Sequence, residues 1–412
     1  MGEPTVRNGT DDELEDLINV VRTSFLSGPI SAEELEFRRS HIHLDRFLGA
    51  WDGDGRPCGT ARSFPTPLTV PGGEVAAAAV SGVGVLPTHR RQGHLTRLMD
   101  AQLADAAQRG EPVAILIAAE YPIYGRFGYG PATEATRLQL DAIGARWRDE
   151  PVGTVELVDN ETYAKVAEEL YDRVRRATPG HIGWDTVYWR LTAGIDPGDD
   201  EELLRYARAY KALWRDERGE VQGVTQYDVA ESWEHNRPAN TVQALHVVAA
   251  TARAEHELLR YLASIDWIRD VKVFLRPTDD PARLALVDGR MAVLADRSDH
   301  IWLRVLDVPA ALGARRYAAA GAVVIEVDDP RGYAAGRFRL EADAAGAASC
   351  TPTDATPDLS VPASALGAAY LGGLTWARLA DAGWVDEHTP GAVARASLLF
   401  SGSRAPWCAR SF

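Results

Sequence analysis

From Val80 to Met99 the chain passes from an apolar stretch, Val80-Ser81-Gly82-Val83-Gly84-Val85-Leu86, through a basic, glycine-containing turn, Thr88-His89-Arg90-Arg91-Gln92-Gly93. It then enters the periodic segment His94-Leu95-Thr96-Arg97-Leu98-Met99. This order predicts a strand, a tight turn and a helix, the unit of an α/β fold. A helix start leaves four backbone N–H groups without partners, and the helix dipole favours negative charge there. Gly93 lets a ligand approach the backbone, and Arg90 and Arg91 add positive charge beside it. The turn therefore reads as a pyrophosphate site, with a solvated helix start as the plainer alternative. It carries neither G-x-x-x-x-G-K-[ST] nor G-x-G-x-x-G, which excludes the nucleoside-triphosphate and dinucleotide fingerprints.

The turn resembles the R/Q-x-x-G-x-G/A signature of the GCN5-related N-acetyltransferases, where it holds the pyrophosphate of coenzyme A. Arg90-Arg91-Gln92-Gly93 supplies the first half, and Leu95 stands at the second small position. A more specific segment follows the buried strand expected over residues 113–118: Glu120-Tyr121-Pro122-Ile123-Tyr124-Gly125-Arg126-Phe127-Gly128-Tyr129-Gly130-Pro131-Ala132-Thr133. Its glycines let aromatic rings lie close to a ligand, and Tyr124, six residues beyond Ala118, is placed to protonate a leaving thiolate. Tyr121, Phe127 and Tyr129 are expected in the core.

Taken together, residues 87–93 and 123–133 resemble the Eis-type (enhanced intracellular survival) N-acetyltransferases of actinobacteria. That resemblance implies an α/β (α+β) chain of two tandem GCN5-related N-acetyltransferase folds and a sterol-carrier-like domain. It also implies acetyl-CoA-dependent modification of amines, including several amines of one aminoglycoside, and a homohexamer. Coenzyme A is then expected along Val83, Gly84, Val85, Arg90, Arg91, Gln92, Gly93, His94, Leu95 and Thr96, with Ala119 and Glu120 near the end of its pantetheine arm. The resemblance further implies that the terminal residue, here Phe412, enters the first active site and offers its α-carboxylate as general base through water. No metal is implied.

The organisation expected is a catalytic domain over 1–150, a degenerate copy over 151–296 and a sterol-carrier-like domain over 297–412, whose end returns to the site. Thr10 and Glu13 form a capping box before Leu14, Leu17, Ile18, Val21 and Phe25, which share one helical face. A second, polar helix is expected near residues 31–41. The hairpin through Trp51-Asp52-Gly53-Asp54-Gly55 recurs at Trp214-Arg215-Asp216-Glu217-Arg218-Gly219, and residues 241–259 repeat the strand-turn-helix unit. The second copy lacks the turn glycine and sets Glu255 and Glu257 where phosphate would bind, so it should hold no coenzyme A. The third section opens near Ile301-Trp302-Leu303-Arg304-Val305, and an ordinary packed core is expected there rather than a lipid groove.

A length of 412 residues allows two or three domains with their own cores. The net charge of -15 disfavours nucleic acid and anionic membranes as partners and suits a cationic substrate. No apolar run is long enough to cross a bilayer, no leader is visible after Met1, and Cys58, Cys350 and Cys408 have no metal or disulfide spacing, which together predict a cytoplasmic protein. The acceptor is expected to be a primary amine on a small molecule or peptide, of aminoglycoside, polyamine or lysine type. Glu33, Glu34 and Glu36 beside Phe37 could receive it, although a solvated helix explains them equally, and Ser411 puts no acidic side chain beside the terminal carboxylate. Cys58 as an acylated nucleophile has no histidine at any local spacing. The alternative class is a non-catalytic acyl-CoA or lipid-binding scaffold, which would need neither Tyr124 nor an apolar terminal residue.

Overall fold

The computed structural model describes residues 5–198 and 200–412. It divides into two compact units, one running to Thr133 and including His300–Ser403 and Ser411–Phe412, the other made of Glu134–Asp299 and Arg404–Arg410.

In the first unit, β1 (Thr5–Asn8), α1 (Leu14–Ser24), α2 (Ala32–His41), β2 (Phe47–Trp51), β3 (Pro57–Val70), β4 (Gly73–Val85), α3 (His94–Gln108), β5 (Val113–Ile117) and α4 (Tyr121–Tyr124) follow in order. The sheet runs β1-β2-β3-β4-β5 and continues through Ile301–Val305 to Gly130–Pro131. Every neighbouring pair is antiparallel except β4 and β5. The Thr10–Glu13 capping box is present ahead of α1. Asp52 turns the first hairpin by accepting the N–H groups of Asp54 and Arg56, both at 2.9 Å, and Asp216 accepts those of Arg218 and Glu220 in the second. The recurrence seen in the sequence is thus one Asp-anchored turn used twice.

Residues paired across a ladder project to the same face. On one face Phe47 and Trp51 pack against Leu14, Leu17 and Ile18 of α1. On the other, Ala78 and Val80 of β4 and Ala114 and Leu116 of β5 pack against Met99, Leu103 and Ala106 of α3. Phe25, expected with the α1 core, is instead 54% exposed, because α1 stops at Ser24.

The structure moves two expected boundaries. Glu134–Asp141 leaves the first sheet and pairs with Ile268–Arg276 and Ala292–Asp299 in the second. Conversely, Ile301–Val305 does not open the third section but lies buried beside β5, with Leu303 opposite Ile115. A strand whose residues are buried on both faces needs cover on both, which a central position supplies. Each sheet is therefore completed by a strand that follows the other copy in the chain. The second sheet otherwise repeats the first, with Asn240–Ala249 parallel to Ile268–Arg276 across the helix Ala252–Ser264.

The third section belongs to the first unit and has a five-stranded sheet built around Gly321–Asp328. Its helix Ala363–Ala369 crosses Ile301–Val305 at backbone contact: a Cβ on Gly367 would strike the Leu303 carbonyl, and one on Gly130 the Ser364 carbonyl. No helix among the described residues is long and apolar enough to cross a membrane. Because neither carbonyl can yield like a side chain, Gly130→Ala or Gly367→Ala should cost about 1–3 kcal/mol. A lowered thermal midpoint checks this, and an unchanged melting curve would show the contact to be slack.

Candidate active site

The β4–β5 ladder is short. It pairs Ala77 with Val113, Ala78 with Ala114 and Ala79 with Ile115, and there it ends, while β4 runs on to Val85. On its other side β4 stays paired with β3, but one extra residue enters between Ser81 and Gly84, where Gly82 takes φ +60°. Such a bulge bends the strand. The two strands part, and the edge of β4 at half-buried Val83, Gly84 and Val85 is left to pair with an extended ligand. The end of α1 closes over this stretch, since a side chain on Gly84 would run into Ser24.

Arg90, Arg91, Gln92 and Gly93 lie exposed beyond β4. Arg91 at φ +64° and Gly93 at φ +84° both adopt left-handed backbone, and Gly93 caps α3. The Arg97 N–H closes on the Gly93 carbonyl at 3.1 Å, so the amides of His94, Leu95 and Thr96 precede the first bond of the helix. A Cβ on Gly93 would meet nothing within 4 Å. Open space over left-handed backbone and free amides fits a pyrophosphate. The expected contacts divide by geometry. Arg90 folds back toward the Val85 carbonyl at 3.5 Å, Leu95 packs on the α3-side core, and Thr96 is exposed. The His94 ring is buried, which leaves only its amide for a ligand.

That ring corrects the reading of Cys58. No local histidine is present in sequence, but the start of α3 brings His94 Nδ1 to 3.7 Å from Cys58 Sγ. Burial pushes the thiol up to about 11 and the imidazole down, so the pair is neutral and Cys58 is not a thiolate nucleophile.

Tyr124 sits in the α3-side core with Ala78, Val80, Ala114 and Leu116. Burial, and then the Glu120 carboxylate, raise its pKa, so the phenol keeps its proton. Ala119 and Glu120 lie exposed just past β5. The loop is braced from far along the chain. Arg304, ion-paired with Asp329 at 2.6 Å, lies against Gly128, while Arg331 stacks on Phe127 at 4.5 Å, holds Asp100 at 2.7 Å and donates to the Arg126 carbonyl. Phe127 and Tyr129 are buried as expected, whereas Tyr121 is 54% exposed and edge-on to Trp302.

Phe412 lies on the opposite face. Its ring meets Phe64 edge-to-face at 5.6 Å, and Ser411 Oγ is 3.2 Å from His300 Nε2. Phe64 pairs with Ala79, and Ala79 with Ile115, the last rung before the strands part. Tyr124 and Phe412 thus flank the opening from the two faces of one sheet. Phe64, His300, Arg304 and Arg331 were not legible in the sequence, where more than a hundred residues separate them from Phe412, Ser411, Gly128 and Phe127 respectively. The expected acidic entrance is altered too: Glu34 binds Arg22 at 2.7 Å and Arg38 at 2.8 Å, and Glu36 reaches Arg39 at 3.7 Å.

The second sheet has a similar opening, since Asn240–Ala249 and Ile268–Arg276 pair only as far as Ala244 and Val273. The protein's own residues 407–410 fill it. Arg410, 2% exposed, donates to the Tyr188 hydroxyl and to His246 Nδ1, each at 2.8 Å, and lies over the Trp189 ring. The void left among Leu245, His246, Phe274, Trp407 and Arg410 is about 10 Å³, room for one water. Glu255 and Glu257 act differently from expectation. Glu257 is buried between Arg253 and Arg260, Glu255 pairs with Arg276, and the Thr251 side chain caps the helix by accepting the Ala254 N–H at 3.1 Å.

Residues 5–132 and 180–296 each match an acetyltransferase (GNAT) domain, and residues 308–409 match a sterol carrier protein domain. With the parted strands and the anion turn, these define a GCN5-related N-acetyltransferase, a class that takes its acetyl group from acetyl-CoA. An N-acetyltransferase of Streptomyces avermitilis is 40% identical over 415 residues, 99% of this chain and 98% of its own. The N-acetyltransferase Eis of Mycobacterium tuberculosis is 34% identical over 391 residues, 89% of each. The crystal structure of Eis1 from Mycobacterium abscessus superposes with a TM-score of 0.87 at 34% identity, covering 99% of this chain and 100% of that one. The chain belongs to the Eis-type N-acetyltransferases.

Calorimetry should give one coenzyme A per chain, because the second opening is filled. Arg91→Ala should weaken that binding by about 1.5–3 kcal/mol, the worth of a charge-assisted phosphate contact. Two sites, or unchanged affinity in the variant, would contradict these assignments.

Proposed function

We propose that the protein transfers the acetyl group of acetyl-CoA directly to a primary amine on a small molecule or peptide, with Tyr124 as general acid and the Phe412 α-carboxylate as general base. The observation that carries this reading is the placement of these two residues on opposite faces of the sheet at the rung where β4 and β5 part. The turn at Arg90 to Thr96 would hold the pyrophosphate, and Val83, Gly84 and Val85 would pair with the pantetheine arm. Ala119 and Glu120 would stand near its end.

An amine must be neutral to attack. The Phe412 carboxylate, ionised at neutral pH, takes the ammonium proton through water. The nitrogen bonds to the thioester carbonyl carbon, the C–S bond breaks as Tyr124 protonates the departing sulfur, and the second nitrogen proton passes through water to restore the Tyr124 phenol. No acyl-enzyme is required, in keeping with the neutral Cys58. A non-catalytic acyl-CoA or lipid-binding scaffold is the weaker reading, since neither role needs a buried phenol and a docked terminus at the opening. The free, buried cysteines suit a reducing cytoplasm, and the family resemblance supports a homohexamer.

Tyr124→Phe should lower kcat by roughly 10²–10⁴-fold with coenzyme A affinity retained. Because the Tyr124 pKa is raised, the alkaline fall in kcat should begin only above the ordinary phenol value of about 10. A fall centred lower would remove Tyr124 from the acid role. Extending the chain beyond Phe412, or deleting it, should abolish turnover while acetyl-CoA still binds; full activity in the extended protein would assign the base elsewhere. Sedimentation should show a hexamer at working concentrations, and a monomer would mean the resemblance stops short of assembly.

A further inference from the structure

The face of the first sheet that carries Phe412 also carries a cation without a partner. Arg62 lies on β3 opposite Phe47 on one side and Ser81 on the other, two residues before Phe64 and on the same face. Its side chain crosses the β4 bulge: a Cβ on Gly82 would lie 3.2 Å from Arg62 Nε and 3.3 Å from its Cγ. The guanidinium thus overhangs the start of the parted stretch. Among the described residues no carboxylate lies in ion-pair range of Arg62 and no acceptor takes a hydrogen bond from it.

The fully buried guanidiniums of this unit are matched, Arg46 by Glu111 at 2.7 Å, Arg304 by Asp329 at 2.6 Å and Arg315 by the Tyr370 and Phe400 carbonyls, whereas half-buried Arg62 has no such acceptor among the described residues. Burial first, and then the neighbouring Arg38, push Arg62 down to about 10, which leaves it charged at neutral pH. The acidic group of this wall is already committed, because Glu34 gives one oxygen to Arg22 and the other to Arg38. Arg22, Arg38 and Arg62 against Glu34 and the Phe412 α-carboxylate, three cations to two anions, leave the wall cationic.

We infer that Arg62 is a specificity residue for the acceptor, and that the acceptor is an amine that also carries a carboxylate, of amino-acid or peptide type, rather than a polycation. A half-buried guanidinium without a counter-ion is only partly hydrated, and a planar carboxylate matches its fork of donors. The inference rests on the acetyl-transfer reading above. It reverses the acceptor charge expected from the overall acidity of the chain, because the local wall has the opposite sign to the whole.

The test uses the intact protein with acetyl-CoA and matched amines, lysine against cadaverine and phenylalanine against phenethylamine, following thiol release and product mass. The carboxylate-bearing member of each pair should show a kcat/KM at least about tenfold higher, through KM, as expected for a charged hydrogen bond. Arg62→Gln should erase that advantage by raising KM for lysine and phenylalanine but not for cadaverine or phenethylamine, and Arg62→Lys should restore part of it. Equal values within each pair of the unaltered protein, or a preference for cadaverine, overturn the inference without touching acetyl transfer. So does a variant that loses kcat equally on both members, which would assign Arg62 to holding the Phe412 carboxylate. Acetylation of no amine in the panel while acetyl-CoA binds would remove the transfer reading and this inference with it.

Discussion

The end of the β4–β5 ladder at Ala79 and Ile115 is the constraint on which the site depends. Parallel neighbours that part after three rungs leave backbone donors and acceptors unpaired inside a sheet, a state that costs free energy unless a ligand or water meets them. The opening persists because both strands are held from outside, β4 by β3 along almost its whole length and β5 by Ile301–Val305. A strand from far along the chain is thus as much a part of the cleft as the motif at Gly93. The braces on the Tyr124 loop have the same distant origin: Arg304 from that strand, Asp329 and Arg331 from the section after it.

The two faces of the sheet differ electrostatically. On the α3 side burial keeps groups in their neutral forms: Tyr124 retains its proton, and Cys58 and His94 stay uncharged beside each other. On the α1 side charge is retained, with Glu34 shared by two arginines and Arg62 unmatched. A reaction that discharges a thiolate on one side and an ammonium on the other suits such a division.

What the sequence disclosed was local. The Arg-Arg-Gln-Gly turn, the Tyr124 loop, the capping box at Thr10 and the twice-used Asp turn each depend on residues within a few positions of one another, and they appear where expected. What it hid was assembled over distance. Nothing near Glu134 marks it for another sheet, and Ile301–Val305 reads equally well as the start of a domain or as a central strand. Cys58 and His94, 36 residues apart, meet only once α3 packs on β3, and Glu34 looks like a free anion until Arg22 and Arg38 fold onto it. At Glu255 and Glu257 the expected carboxylates are present, but arginines already occupy them, and the chain's own Arg410 closes the opening.

The exchange of closing strands between the two sheets also bears on how the chain is made. When Thr133 leaves the ribosome, the first sheet still lacks Ile301–Val305, which follows only after roughly 170 more residues. At translation rates of about 5–20 residues per second, that leaves the outer edge of β5 exposed on the nascent chain for roughly ten to thirty seconds. An apolar edge held open so long is a template for pairing with other strands, so a shielding factor during synthesis has a defined place to act. Premature termination anywhere before Val305 would release a product that can neither close its first sheet nor conceal that edge.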